Sequence, residues 1–127
     1  MLINVIAAIY LIVHGLIHLI GFVVFWQIAE FEDVSYTTTV LAGRLDIGDV
    51  GMRVLGVVWL LISVAFVVAG VAIFFSPPWW WSFTLAVTVA SLIVTLLGWP
   101  DARYGVLANI IILLFLFFRP RLGWIAR

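Results

Sequence analysis

Apolar residues fill four long stretches of this chain almost without interruption, and the charged residues gather between and after them. Hydrocarbon offers the backbone no hydrogen-bond partners, so a segment that crosses about 30 Å of lipid must be helical, which takes roughly 20 residues. The pattern predicts helices over about 3–26, 52–75, 79–99 and 102–118. Breakers separate them. Ser76, Pro77 and Pro78 form a turn between the second and third stretches; Gly98, Trp99 and Pro100 stop the third; Arg119, Pro120 and Arg121 end the fourth. Asp49, Ser76 and Asp101 stand where N-caps of the second, third and fourth helices are expected. Two tight turns make consecutive helices antiparallel neighbours, so the expected fold is an all-α, up-down four-helix bundle, one transmembrane domain over residues 1–127.

Only the first connection, residues 27–51, is long. It holds Glu30, Glu32, Asp33, Asp46 and Asp49 against a single Arg44, and its run Tyr36 to Val40 favours an extended strand. Phe31, Val34, Tyr36, Val40, Leu41, Leu45 and Ile47 are too apolar for a solvated linker, so this loop is expected to lie ordered over one end of the bundle. Arg119, Arg121 and Arg127 lie at the C-terminal end. Positive charge in short loops stays in the cytoplasm, which places the C-terminus inside. Four crossings then put the N-terminus inside as well and the acidic loop outside, as a multi-pass protein of the cell membrane. Residues 122–127, with Trp124, read as an interfacial extension, and Trp26, Trp79, Trp80, Trp81 and Trp99 as an interfacial belt.

Within the apolar stretches the polar residues form a pattern of their own. His14 and His18 are four apart and share one helical face. With His14 near the midplane and a rise of about 1.5 Å per residue, His18 lies roughly 6 Å outward, Ser63 and Thr88 near the midplane, Ser91 and Asn109 roughly 3 Å outward, and Thr95 roughly 9 Å outward. Thr84, Thr88, Ser91 and Thr95 form one stripe on the third helix, and Gly56, Ser63 and Gly70 repeat along the second at a spacing that lets a neighbouring backbone approach. These depths coincide, so His14, His18, Ser63, Thr88, Ser91 and Asn109 are the candidate ligand-binding set, with the His pair turned inward. That rotation puts Ala7, Leu11, Gly21 or Phe22, and Phe25 inside and leaves Ile6, Val13 and Val24 outside. His14 and His18 are also the candidate metal ligands, although two imidazoles at this spacing need further ligands to close a site. The competing reading is structural: hydroxyls bonded to their own helix, and imidazoles bonded to hydroxyls or carbonyls.

Composition narrows the chemistry. The chain is 67% hydrophobic and 9% charged, against about 45–50% and about 25% for a soluble domain. Its net charge is zero and it has no basic tract, which argues against a nucleic-acid partner. Cysteine and lysine are both absent, removing thiol chemistry, iron–sulfur ligation and Schiff-base cofactors. The N-terminal run lacks a basic leader and a small-residue cleavage site, so it reads as a retained helix. No catalytic triad, phosphate loop or nucleophile elbow appears, so nothing here argues for an enzyme.

The segment Leu11, Ile12, Val13, His14, Gly15, Leu16, Ile17, His18, Leu19, Ile20, Gly21, Phe22 resembles the first helix of the DoxX-like small membrane proteins. In that family a four-helix chain of similar length opens with an apolar stretch, a His-Gly or similar pair, then a basic residue followed by Leu and Gly. His18 stands where the family tends to have Lys, and the second helix lacks the acidic residue many relatives carry. The resemblance implies a compact bundle associated with respiratory or thiol and thiosulfate redox proteins, in some members as a subunit beside a quinone pool. Two functions are therefore expected. The first is a small subunit or accessory protein of a membrane redox assembly, whose His pair contacts a quinone, haem or pigment. The alternative is a non-catalytic membrane protein, structural or binding a lipid or hydrophobic ligand. The bilayer is the common partner, with other membrane subunits or a homo-oligomer beside it. For the topology, a reporter fused after Arg127 is expected to be active only in the cytoplasm, and activity outside would reverse the orientation.

Overall fold

The computed structural model describes residues 1–32 and 34–119. The positions of Asp33, Pro120, Arg121, Trp124 and Arg127, on which parts of the orientation and interface expectations rest, lie outside the described residues. Four helices make up most of the chain: α1 (Leu2–Phe25), α2 (Gly48–Ala72), α3 (Trp80–Leu97) and α4 (Arg103–Phe118), with a two-stranded hairpin, β1 (Thr39–Val40) and β2 (Leu45–Asp46), between α1 and α2. Each helix packs on its sequence neighbour, α1 on α2, α2 on α3 and α3 on α4, which is the up-down order. By length and composition α1, α2 and α3 are able to cross a membrane. At 16 residues α4 falls short of the roughly 20 that a perpendicular span takes.

None of the three expected caps forms. Ile47, Trp79 and Ala102 occupy the N-cap positions without a side-chain cap bond. Asp49 sits instead in the first turn of α2, where its negative charge complements the N-terminal end of the helix dipole, and it accepts a hydrogen bond from the Tyr36 hydroxyl. That bond is the main cause pushing the Tyr36 phenol above its ordinary range. Ser76 lies just past α2 and donates to the Ile73 carbonyl.

The α1–α2 contact is the closest in the bundle, and small residues are its cause. A methyl group added at Gly15 would lie 2.8 Å from the Ser63 carbonyl oxygen and 2.9 Å from Phe66 Cβ; one at Gly21 would lie 2.5 Å from the Trp59 ring. From the other side, Gly56 faces Trp26 and Phe25, and Gly70 faces Ile12 and the Ala8 carbonyl. The Gly56–Ser63–Gly70 heptad is thus the track on which α1 lies.

Residues 26–32 and 34–47 fold over the end of the bundle formed by the last turn of α1, the start of α2 and the end of α3. Gln27 and Ile28 donate back to the Val24 and Val23 carbonyls, Leu41 donates to the Leu97 carbonyl of α3, and Val40 is buried. This reversal corrects one expectation. Val24 is buried rather than lipid-facing, while Ile6 and Val13 on similar sides of α1 stay exposed, so depth along the helix rather than rotation decides its burial. The tryptophans divide similarly. Trp26, Trp79, Trp81 and Trp99 are exposed, but Trp80 is buried and its indole N–H donates to the Ala69 carbonyl at 2.7 Å, tying α3 to α2.

Gly15→Ala is expected to lower stability by about 1–3 kcal/mol, because the added carbon meets backbone that cannot move aside. Val64→Ala, on an exposed face, should stay within about 0.5 kcal/mol. Reversible unfolding of the detergent-solubilised protein measures both.

Candidate functional site

His14 and His18 face the interior, with 5% and 1% of their surface exposed. An imidazole in hydrocarbon must find hydrogen-bond partners, and both do. His14 Nε2 lies 2.9 Å from Asn109 Oδ1 on α4. His18 Nδ1 lies 2.9 Å from the His14 carbonyl one turn back, and its Nε2 lies 2.7 Å from Ser91 Oγ on α3. A carbonyl can only accept, so the proton positions follow from the partners. His14 donates from Nε2, and His18 donates from Nδ1 and accepts the Ser91 hydroxyl proton at Nε2. The circuit continues beyond them. Asn109 Nδ2 donates to Thr95 Oγ1 at 3.3 Å, and Thr95 Oγ1 donates to the Ser91 carbonyl at 2.9 Å, sharing that proton with the Leu92 carbonyl at 3.0 Å. His14, Asn109, Thr95, Ser91 and His18 therefore close a ring that pins α1 to both α3 and α4.

Aromatic rings wall this network. The two imidazoles meet edge to face at 4.6 Å, Phe66 lies 4.8 Å from His14 and 5.5 Å from His18, and Trp59 lies 4.9 Å from His18. One turn before His14, the Tyr10 hydroxyl donates to the Ala108 carbonyl at 3.0 Å, a second tie from α1 to α4. The sequence carried a signal for Tyr10 in its four-residue spacing from His14. Thr88, by contrast, donates to the Thr84 carbonyl of its own helix at 2.7 Å. Ser63 is buried on α2 with its carbonyl beneath Gly15, where its part is close packing. Thr84 Oγ1 and Trp59 Nε1 are buried with no hydrogen-bond partner.

The expectation that the His pair contacts a quinone, haem or pigment is overturned by these bonds. Three of the four imidazole nitrogens are committed to protein atoms. Among the described residues, no group of three or more His, Cys, Asp or Glu side chains comes together that could complete a metal's coordination. The residues do not fit a metal or haem, and the pair acts as the polar core of the bundle.

Directly above this core lies a cavity of about 630 Å³, within the range of about 300–1,000 Å³ typical of sites that enclose small ligands. His14, His18 and Thr95 form its floor, Met52, Leu55, Trp59 and Val94 its walls, and Val34, Ser35, Thr37 and Thr39 to Gly43 of the loop, with Asp101, its roof and rim. Ile17 of α1 and Tyr104 of α4 both line it while being 54% and 72% exposed, so it opens sideways along the α1–α4 seam. On the other side of the Tyr10 and His14 ties, a smaller apolar cavity of about 150 Å³ lies along the same seam, between Ile3, Tyr10, Thr84 and Phe115.

The chain matches no known protein-family model, no curated protein and no solved structure. The site is therefore read from its own geometry.

Asn109→Leu is expected to cost about 1–2 kcal/mol, because it strands the His14 N–H in a dry interior. His14→Phe combined with Asn109→Leu should cost less than the two singles added, with a coupling of about 0.5–1.5 kcal/mol in a double-mutant cycle. Strict additivity would mean that the pair does not interact.

Proposed function

We propose that this is a non-catalytic membrane protein that holds one lipid molecule, taken sideways from the bilayer, in the cavity between α1 and α4. The observation that carries the reading is the cavity's shape. It is predominantly apolar, opens between two lipid-facing helices, and rests on polar side chains that are already bonded to one another. Measured along α1 from His14 to Phe25, it runs about 16 Å at about 1.5 Å per residue. That is close to half of the roughly 30 Å hydrocarbon core, one leaflet deep. A lipid of the leaflet nearest the loop fits with its chain tip near the midplane and its headgroup under the loop, its ordinary register in the bilayer.

This reading gives the loop a role as a cover for the headgroup end. It places both termini in the cytoplasm and the loop outside, following the arginine distribution. The likeness of the first helix to DoxX-like proteins enters the proposal through the compact bundle it implies; the redox association of that family does not. Association with a second copy or with other membrane subunits is compatible with the reading, which requires neither.

The protein extracted in mild detergent is expected to retain a single bound lipid in native mass spectra. Ala108→Phe places a ring in the cavity from α4 while keeping the carbonyl that Tyr10 uses, and it should lower the bound fraction at least about fivefold, a loss of roughly 1 kcal/mol. Wild-type protein that retains no lipid, with its fold intact, would rule the proposal out.

A further inference from the structure

Charge is divided between the two ends of the bundle. Every acidic residue falls between Glu30 and Asp49 or at Asp101, within the loop, the first turn of α2 and the turn between α3 and α4. The opposite end is built from the start of α1, the turn between α2 and α3 and the end of α4, and the sequence there has no Asp or Glu. Arg119 stands at that end, just past α4, and Arg121 and Arg127 follow it in the sequence. Its guanidinium carbon lies 4.7 Å over the Trp80 ring, and Trp80 is fixed in turn by the bond from its indole N–H to the Ala69 carbonyl. An aromatic face stabilises a cation but leaves its N–H donors in need of oxygen. Arg119 Nε is buried with no hydrogen-bond partner among the described residues.

The small cavity adjoins this charge. Trp80 and Phe115 both line it, and Phe115 lies one turn before Arg119 on the same side of the chain. From Tyr10 to Ile3 it runs about 10 Å along α1. Arg119 lies eleven residues beyond Ala108, about 16 Å from the level of the Tyr10 tie, which is half of the roughly 30 Å hydrocarbon core. A phosphate at Arg119 is therefore at headgroup height while its chain follows the cavity toward Tyr10. We infer that Arg119 binds the phosphate of an anionic phospholipid from the leaflet opposite the loop, with one acyl chain in the small cavity. A guanidinium meets two phosphate oxygens at once. A zwitterionic headgroup brings an ammonium with its phosphate, and that ammonium is repelled at an end whose charged side chains are all arginines. The site is separate from the large cavity and does not require that cavity to be filled.

A lipid held by one guanidinium and a shallow groove exchanges with detergent, so it is measured by adding it back. Detergent-purified full-length protein is titrated with phosphatidylglycerol or phosphatidylcholine of identical chains, and bound lipid is counted by native mass spectrometry. Phosphatidylglycerol is expected to bind about fivefold more tightly. Arg119→Gln should bring the ratio close to one, and Arg119→Lys, which keeps the charge without the planar fork, should give a value between the two. Arg44→Gln, in the turn between β1 and β2 at the loop end, should leave the ratio as it is in the wild type. Lipid in the large cavity is untouched by Arg119→Gln and persists as residual binding, so the two sites fail separately. Equal binding of both lipids by the wild type overturns the assignment. So does a ratio that survives Arg119→Gln, or one that falls as far in Arg44→Gln, which would report net charge alone. Displacement of phosphatidylglycerol by an equal concentration of inorganic phosphate, which has no chain for the groove, overturns the lipid and leaves a plain anion site.

Discussion

An imidazole in hydrocarbon has no water to turn to, and this bundle is arranged around that fact. His14 and His18 meet the constraint by reaching two different helices, Asn109 on α4 and Ser91 on α3, with Thr95 linking those partners to each other. Individual bonds of this kind are modest in a membrane, averaging well under about 2 kcal/mol. Their weight lies in geometry: breaking any one strands a polar group in a dry interior, so the ring sets both the rotation and the depth of α1 against its neighbours.

The bundle joins its helices by two different means. Against α2, helix α1 packs through glycines, so closely that added methyl groups at Gly15, Gly21 or Gly70 would collide with the facing helix. Against α4 it is held by polar ties, His14 to Asn109 and Tyr10 to the Ala108 carbonyl. Close packing fills space and point contacts do not, so space remains along the α1–α4 seam on both sides of those ties. The larger space lies beneath the loop, which is anchored by the bond from Leu41 to the Leu97 carbonyl and by the tie between Tyr36 and Asp49. The cavity thus follows from how the helices are joined.

The same bonds explain why a histidine pair with the spacing of a chelate does not act as one. A metal needs several nitrogen lone pairs. At His18 the available one accepts the Ser91 proton, and His14, protonated at the Nε2 it presents to Asn109, has one left at Nδ1, a single ligand where a site needs three or four. Intramembrane ionisable residues invite a functional reading, and here the pair serves the structure, as a hydrogen-bonded polar floor beneath an apolar cavity.

The solvent made much of this legible from the sequence alone. Apolar runs near 20 residues have one structural solution in lipid, so the helices, their order and their antiparallel packing follow from hydropathy and turn residues. The Gly56–Ser63–Gly70 heptad marked a close contact, and the depth ruler set His18 and Ser91, like His14 and Asn109, within about 3 Å of each other in height, because a helix converts residue number into height. Rotation, pairing and unfilled space belong to the tertiary structure. The partner of each hydroxyl depended on which helix faced it: Ser91 crosses to His18, whereas Thr88 returns to its own helix. The caps placed at Asp49, Ser76 and Asp101 gave way to loop geometry, and Val24 was buried by a chain reversal that hydropathy does not register. The cavity had no sequence signature, since its walls are ordinary apolar residues and a void is defined by the distance between helices, a quantity that no single helix encodes.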